Sequence, residues 1–132
     1  MTFLLDSHVL LWAVDSPEKL SKRAAEIIHA ENEVVLISIA TPWELSIKSN
    51  EARKNDRLDI SELLGDFEGA VLTAGYQVLE ATVSHVIRAG LLPLLHRDPF
   101  DRLLAAQALD LRIPIVSRDP IFDRYGVKRI WN

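Results

Sequence analysis

Val34-Val35-Leu36-Ile37 is an unbroken apolar run, rich in β-branched residues, and is typical of a strand buried on both faces of a sheet. Four further segments predict strands of the same sheet, at residues 3–5, 76–79, 113–116 and 127–131. The first is Phe3-Leu4-Leu5, which ends at an aspartate. The sequence therefore predicts five short strands spread along the whole chain.

Helical patterns fill the intervals between these strands. Ser16-Pro17-Glu18 predicts a helix start, with serine as the cap, proline at the first position and apolar residues following at helical spacing to residue 28. Further helices are predicted from Thr41 onward and over residues 59–74, 82–91 and 98–111, while the polar stretch 49–57 breaks the pattern. Strands that alternate with helices indicate an α/β fold, with a mostly parallel central sheet flanked by helices.

Composition limits the class of protein. The chain has 132 residues, of which 48% are hydrophobic, so we expect one folded domain over residues 1–132. It has no cysteine, which excludes disulfides and thiolate metal sites. No lysine or arginine precedes Lys19, and no apolar run approaches the roughly 18 residues of a membrane span, so we expect a soluble cytoplasmic protein with no membrane partner. The net charge of −4 argues against a broad nucleic-acid surface unless several acids bind metal ions.

Four acidic residues lie where functional groups gather in such a fold. Asp6 and Asp119 follow the first and fourth strands, Glu44 follows the second strand, and Asp101 lies in the first turn of its helix. Functional groups of open parallel sheets collect at the carboxyl ends of strands, so these acids are expected to converge. Converging carboxylates need a cation, and oxygen ligands favour Mg²⁺ or Mn²⁺. Such ions bind phosphates and activate water, which points to phosphodiester hydrolysis.

Spacing alone leaves other roles open for these acids. Glu44 lies three residues after Thr41, as in a helix capping box. Asp98 and Asp101 are equally placed to cap their helix, so the residues alone do not say which is the ligand. Asp119 precedes a proline and is a competent helix cap.

Four blocks of sequence reduce this ambiguity. They are Leu4-Leu5-Asp6-Ser7-His8 with Leu11-Trp12, Ser38-Ile39-Ala40-Thr41-Pro42-Trp43-Glu44-Leu45-Ser46-Ile47-Lys48, His96-Arg97-Asp98-Pro99-Phe100-Asp101-Arg102-Leu103-Leu104-Ala105-Ala106-Gln107-Ala108, and Ile115-Val116-Ser117-Arg118-Asp119 with Phe122 and Tyr125. In this order, and over nearly the whole chain, they resemble the PIN-domain ribonucleases of the VapC toxin type. The resemblance implies that Asp6, Glu44, Asp101 and Asp119 are the catalytic and metal-binding residues, with Asp98 as the helix cap.

The same resemblance implies an activity and partners. The expected protein is a metal-dependent endoribonuclease that uses Mg²⁺ or Mn²⁺, pairs with a cognate antitoxin protein and forms a homodimer. Asp6, Asp101 and Asp119 would hold one or two ions, and Glu44 would bind a second ion or orient the attacking water. Ser117 fills a position where the family often has a hydroxyl near the metal, and Ser38 is a weaker candidate. Residues 49–57 depart from the family, which often has a Gly-Lys-Leu turn there.

Other side chains near the expected site have less certain roles. Phosphate binding by Arg97, Arg102, Arg118 and Lys48 competes with a role as surface charges or as partners of nearby acids. We interpret His8 and His96 as structural, and Trp12, Trp43 and Trp131 as core or interface residues rather than as base-stacking platforms. An aspartate-based phosphohydrolase, which opens on Asp-x-Asp, is disfavoured because His8 stands two residues after Asp6. A non-catalytic PIN-fold binding module and a DNA nuclease with the same site stay open as alternatives.

Overall fold

A five-stranded parallel sheet forms the centre of the computed structural model, which describes residues 1–51, 60–95 and 97–132. The strands are β1 (Thr2–Leu5), β2 (Val34–Ser38), β3 (Gln77–Leu79), β4 (Ile115–Val116) and β5 (Arg129–Ile130), in the order β3-β2-β1-β4-β5. Every pairing is parallel, with Leu5 of the central strand opposite Ile37 on one side and Val116 on the other. The predicted α/β fold is therefore confirmed.

Helices cover both faces of this sheet. They are α1 (Ser7–Asp15), α2 (Lys22–His29), α3 (Ala40–Glu51), α4 (Ser61–Gly65), α5 (Phe67–Thr73), α6 (Val83–Leu91), α7 (Pro99–Leu111) and α8 (Ile121–Arg124), with a 3₁₀ turn at Pro17–Lys19. Alternate residues of β1 point to opposite faces, so Phe3 and Leu5 pack in one core cluster and Leu4 in the other. The described part of the chain contains no helix that is both long and apolar enough to cross a membrane.

Two predicted helices differ from those observed. The helix start at Ser16 is wrong: Ser16 precedes only the 3₁₀ turn, Leu20 is extended, and α2 is capped by Ser21, whose hydroxyl accepts a hydrogen bond from the backbone of Ala24. The single helix predicted over 59–74 is two helices, because the backbone of Asp66 leaves the helical region and its carboxylate caps α5 at Gly69.

The beginning of α3 also departs from the capping-box alternative. Thr41 lies inside the helix rather than at its cap, and its hydroxyl is 3.2 Å from the Ser7 hydroxyl. Ser38 provides the backbone contact instead, since its hydroxyl accepts from the amide of Ala40. The helix continues to Glu51, so the polar stretch begins inside α3, and its residues 52–57 lie outside the described part of the chain.

Candidate active site

The strand order creates a cleft between the carboxyl ends of β1 and β4. From β1 the chain proceeds to β2 and β3 on one side and to β4 and β5 on the other, so the order reverses between β1 and β4. Open α/β sheets bind ligands at such a reversal point. Asp6 follows β1 and Ser117 follows β4, so the fold brings both to this cleft.

Ser117 connects two of the predicted site residues. Its hydroxyl donates a hydrogen bond of 2.7 Å to Oδ2 of Asp6 and accepts one of 3.0 Å from the backbone amide of Asp119. Asp6 is 4% exposed, and burial raises the pKa of its carboxyl, although the Ser117 hydrogen bond and nearby His8 act against this. The hydroxyl predicted near the metal is therefore a direct partner of a buried carboxylate.

Glu44 projects from α3 into the same region. Its Oε2 is 3.0 Å from the Lys48 ammonium, which also lies 3.4 Å from Nε2 of His8. Its other oxygen, Oε1, is buried and has no hydrogen-bond partner among the described residues. A buried carboxylate oxygen without a donor is costly, so this atom is available for a ligand.

Asp101 is the acid on which the neighbouring carboxylates act most strongly. It is 8% exposed, and its pKa is raised from the ordinary 3.8 to about 8, first by burial and then by the charges of Asp6, Asp98, Glu44 and Asp119. The order of these causes shows that desolvation dominates and that all four carboxylates act on the same group. The charges of Asp6, Glu44 and Asp119 therefore all act on Asp101.

The predicted cap of α7 is confirmed at Asp98. Its Oδ1 accepts hydrogen bonds from the amides of Phe100 at 2.9 Å and Asp101 at 3.4 Å. Asp119 is exposed, and its Oδ1 accepts a hydrogen bond of 3.0 Å from the amide of Ile121, although the N-cap position of α8 is taken by Pro120 and not by Asp119. It also borders a cavity of about 220 Å³, lined by Asp6, His8, Trp12, Arg118, Asp119 and Pro120.

The carboxylates suit a divalent cation that keeps several of its own waters, rather than one whose ligands all come from the protein. Within residues 1–51, 60–95 and 97–132, no three acidic or histidine side chains are placed to hold one ion together. Mg²⁺ usually takes only one or two carboxylates and keeps several waters or substrate oxygens. The unpartnered Oε1 of Glu44 and the mutual repulsion at Asp101 are both features that a cation would relieve.

The basic residues fall into two groups. Arg97 and Arg118 are exposed, and Lys48 lies against Glu44 inside the site. Arg102 instead is buried, and its guanidinium donates to the three carbonyls of Gly90, Leu92 and Pro93. Those contacts support the structural alternative for Arg102, because they tie α7 to the end of α6.

Several neighbouring side chains have structural contacts. The Ser38 hydroxyl donates to Gln107 at 2.6 Å in the core, which argues against a role at the metal.

Trp12 contacts the rings of His8 and Trp131, consistent with a packing role. Trp43 is 60% exposed, and His96 lies outside the described residues. The Lys48–Glu44 pair bears out the alternative that Lys48 is the partner of a nearby acid, and its spacing of four residues is a known signal for helical ion pairs.

Comparison with known proteins agrees with this architecture. The PIN domain family model matches residues 3–128. Ribonuclease VapC22 of Mycobacterium tuberculosis is 30% identical over 118 residues, which is 89% of this chain and 87% of that protein. VapBC2 of Rickettsia felis, solved bound to a promoter DNA fragment, has a similar fold with a TM-score of 0.72 at 17% identity, covering 100% of both chains. FitAcB of Neisseria gonorrhoeae gives a TM-score of 0.67 at 17% identity, over 98% of this chain and 96% of that one. The chain belongs to the PIN-domain family, in its VapC type.

Proposed function

We propose that this protein is a metal-dependent endoribonuclease whose site is the quartet of Asp6, Glu44, Asp101 and Asp119. The observation that carries the proposal is the burial of three acids from separate parts of the chain, because Asp6, Glu44 and Asp101 are 4%, 4% and 8% exposed and Oε1 of Glu44 has no hydrogen-bond partner among the described residues. Buried acids that repel one another destabilise a fold, and they are retained where they do chemistry. RNA is the proposed substrate because the relative of 30% identity is a ribonuclease.

The carboxylates have distinct proposed tasks. Asp6, Asp101 and Asp119 would hold one or two Mg²⁺ or Mn²⁺ ions, and Glu44 would bind a second ion or orient the attacking water. When bound, such an ion would activate water and offset the charge that develops on the phosphate. Asp101 would have to be ionised to serve as a ligand, because ligation requires the charged carboxylate.

Residues around the quartet support these tasks. The hydrogen bond from Ser117 fixes the orientation of Asp6, so that the other oxygen of Asp6 can face the cleft. Lys48 holds one oxygen of Glu44 and leaves the second toward a ligand. Arg118 lines the cavity beside Asp6 and is placed to bind a phosphate oxygen of the substrate.

Two protein partners are also proposed. A cluster of carboxylates attracts a basic side chain from another protein, so a cognate antitoxin is expected to cover the acidic cleft. One of the structures with a similar fold is titled a toxin-antitoxin complex, from Klebsiella pneumoniae. A homodimer is supported by large apolar side chains along and just beyond α6 that are more than half exposed, which are Val83, Val86, Ile87, Leu91 and Leu94.

Cleavage of RNA by single-residue variants tests the proposal. Asp6→Asn and Asp101→Asn should each reduce cleavage by at least about 100-fold with Mn²⁺ present, because a metal ligand is lost. Asp15→Asn, which removes an exposed carboxyl at the opposite end of α1 from Asp6, should cleave at the parent rate. Parent-level cleavage by either site variant would contradict the proposed site.

The same assay decides between the proposal and its alternatives. Cleavage of DNA but not RNA would indicate a DNA nuclease with the same site. No cleavage of either, together with no heat of Mn²⁺ binding in calorimetry, would indicate a binding module that has the fold without the chemistry.

A further inference from the structure

An exposed tryptophan lies beside the acidic site. Trp43 is 60% exposed, and its ring is centred 4.8 Å from the ring of Phe100 at an interplanar angle of 82°. Such an edge-to-face pair holds the indole in one orientation while most of its surface stays open. A large apolar side chain is thereby kept available for a ligand.

The sequence neighbours of this aromatic pair belong to the quartet. Trp43 immediately precedes Glu44 on α3, and Phe100 immediately precedes Asp101 on α7. The two carboxylates are close enough to influence each other electrostatically, and the two rings are in contact. The ring contact and the two adjacent carboxylates therefore lie one residue apart on both helices, which places the aromatic pair at the edge of the acidic site.

The surroundings of Trp43 favour a nucleic acid over a protein. An apolar protein surface laid over the tryptophan, unlike the basic side chain proposed for the antitoxin, would remove water from the partly exposed Lys48 ammonium without replacing it, which costs free energy. A nucleotide combines a flat π-face for the indole with a charged phosphate for the cation and basic groups of the site. The exposed apolar residues of α6 form a separate surface that contains no residue of the quartet.

We propose that Trp43, held by Phe100, is a stacking platform for the nucleobase next to the cleaved phosphodiester. This inference rests on the proposed ribonuclease function. Stacking accepts any base but requires an unpaired one, because a paired base has its faces covered by neighbours. Trp43 therefore selects single-stranded or looped segments of RNA without reading their sequence.

The test is a double-substitution cycle between the tryptophan and the base. Cleavage by the wild type, Trp43→Ala, Trp43→Leu and Trp43→Phe is measured on one short RNA and on versions that lack a single base on either side of the cleavage position. For the wild type, kcat/KM should fall about tenfold when the stacked base is missing. Trp43→Ala and Trp43→Leu should lose about tenfold on the intact RNA and little more on the version without that base.

Phenylalanine serves as the conservative variant. Trp43→Phe keeps an aromatic face, so its kcat/KM should stay within about threefold of the wild type and should still depend on the base. Leucine keeps an apolar contact with Phe100 without a π-face, so it separates stacking from packing. Truncating a mostly exposed side chain should leave the fold intact, which circular dichroism checks.

Each outcome bears on one claim. Absence of RNA cleavage by the wild type refutes the proposed function, and this inference with it. If the loss of kcat/KM from Trp43→Ala and the loss from the missing base simply multiply, the stacking role of Trp43 is refuted, while the proposed ribonuclease function stands. A change from dimer to monomer on Trp43→Ala, seen by sedimentation, also overturns it, because Trp43 would then be a protein contact.

Discussion

Replacing Asp101 with asparagine is expected to stabilise the metal-free protein, and to do so more strongly as pH rises. Burial and neighbouring carboxylates raise the pKa of Asp101 from 3.8 to about 8 in the folded chain. Between these values the folded state retains a proton that the unfolded chain has released, so the free energy of unfolding falls as pH rises. Asparagine has no titrating group, so its free energy of unfolding does not contain this decrease with rising pH.

The size of the effect follows from the same two pKa values. A difference of about four pH units, at about 1.36 kcal/mol each, sets an upper limit of about 6 kcal/mol above pH 8. Relaxation of the site and water entry weaken interactions among carboxylates in real proteins. We therefore expect a gain of about 2 kcal/mol near pH 8, and only about 0.5 kcal/mol near pH 4, where the unfolded chain also retains much of its proton.

Urea unfolding followed by tryptophan fluorescence measures this gain. The wild type and Asp101→Asn are unfolded in EDTA at several pH values between about 4 and 8, beside Asp15→Asn as the control for removal of an exposed carboxyl. Because the charge of Asp6 is one cause of the raised pKa at Asp101, the difference between the two proteins reports Asp101 together with its interaction with Asp6. A constant difference across the pH range, or a less stable variant near pH 8, would refute this account of the site.

Three further substitutions test the surroundings of the quartet. Ser117→Ala removes a 2.7 Å hydrogen bond to Asp6 and should cost about 1–2 kcal/mol of stability in urea unfolding, and about tenfold in Mn²⁺ affinity by calorimetry. Lys48→Met leaves Glu44 without its cation and should cost about 1 kcal/mol in EDTA, with a smaller cost in Mn²⁺; an equal cost in both would count against the ion-pair role. Arg102→Met leaves three backbone carbonyls without their donor and should cost about 2–3 kcal/mol, and a full-stability variant would show that these contacts do not matter.

The strands and the longest helix were predictable because their signals are local. The apolar run of β2 has no competing interpretation, and the Asp98-Pro99 pair marks the start of α7 with both a cap and a proline. Each of these elements is specified by residues within a few positions of one another. Their placement therefore did not require knowledge of the tertiary contacts.

Helix α1 was not predicted, for a reason linked to function. Asp6 occupies its N-cap position, but its side chain makes no capping hydrogen bond. The carboxylate instead accepts a hydrogen bond from Ser117, which is more than a hundred residues away in the chain. A residue used by the site therefore does not provide the local signal on which helix prediction depends.

The resemblance named the members of the proposed quartet, whereas their environment was not predictable. Spacing could not choose between capping and ligation for Glu44, because the choice depends on Thr41 contacting Ser7 from another helix. Spacing likewise could not show that Arg102 is buried against carbonyls, since those carbonyls belong to the last turn of α6 and the residues just after it. Contacts between distant segments decide both questions.

The central claim is that the carboxylates act through a bound divalent cation. Its most direct test is RNA cleavage by the purified protein, free of any partner, as Mn²⁺ is titrated into a metal-depleted sample. The account predicts no cleavage in EDTA, recovery on addition of Mn²⁺, and half-maximal cleavage at the Mn²⁺ concentration that calorimetry gives as the dissociation constant. Undiminished RNA cleavage in EDTA by protein shown to be free of metal would contradict it.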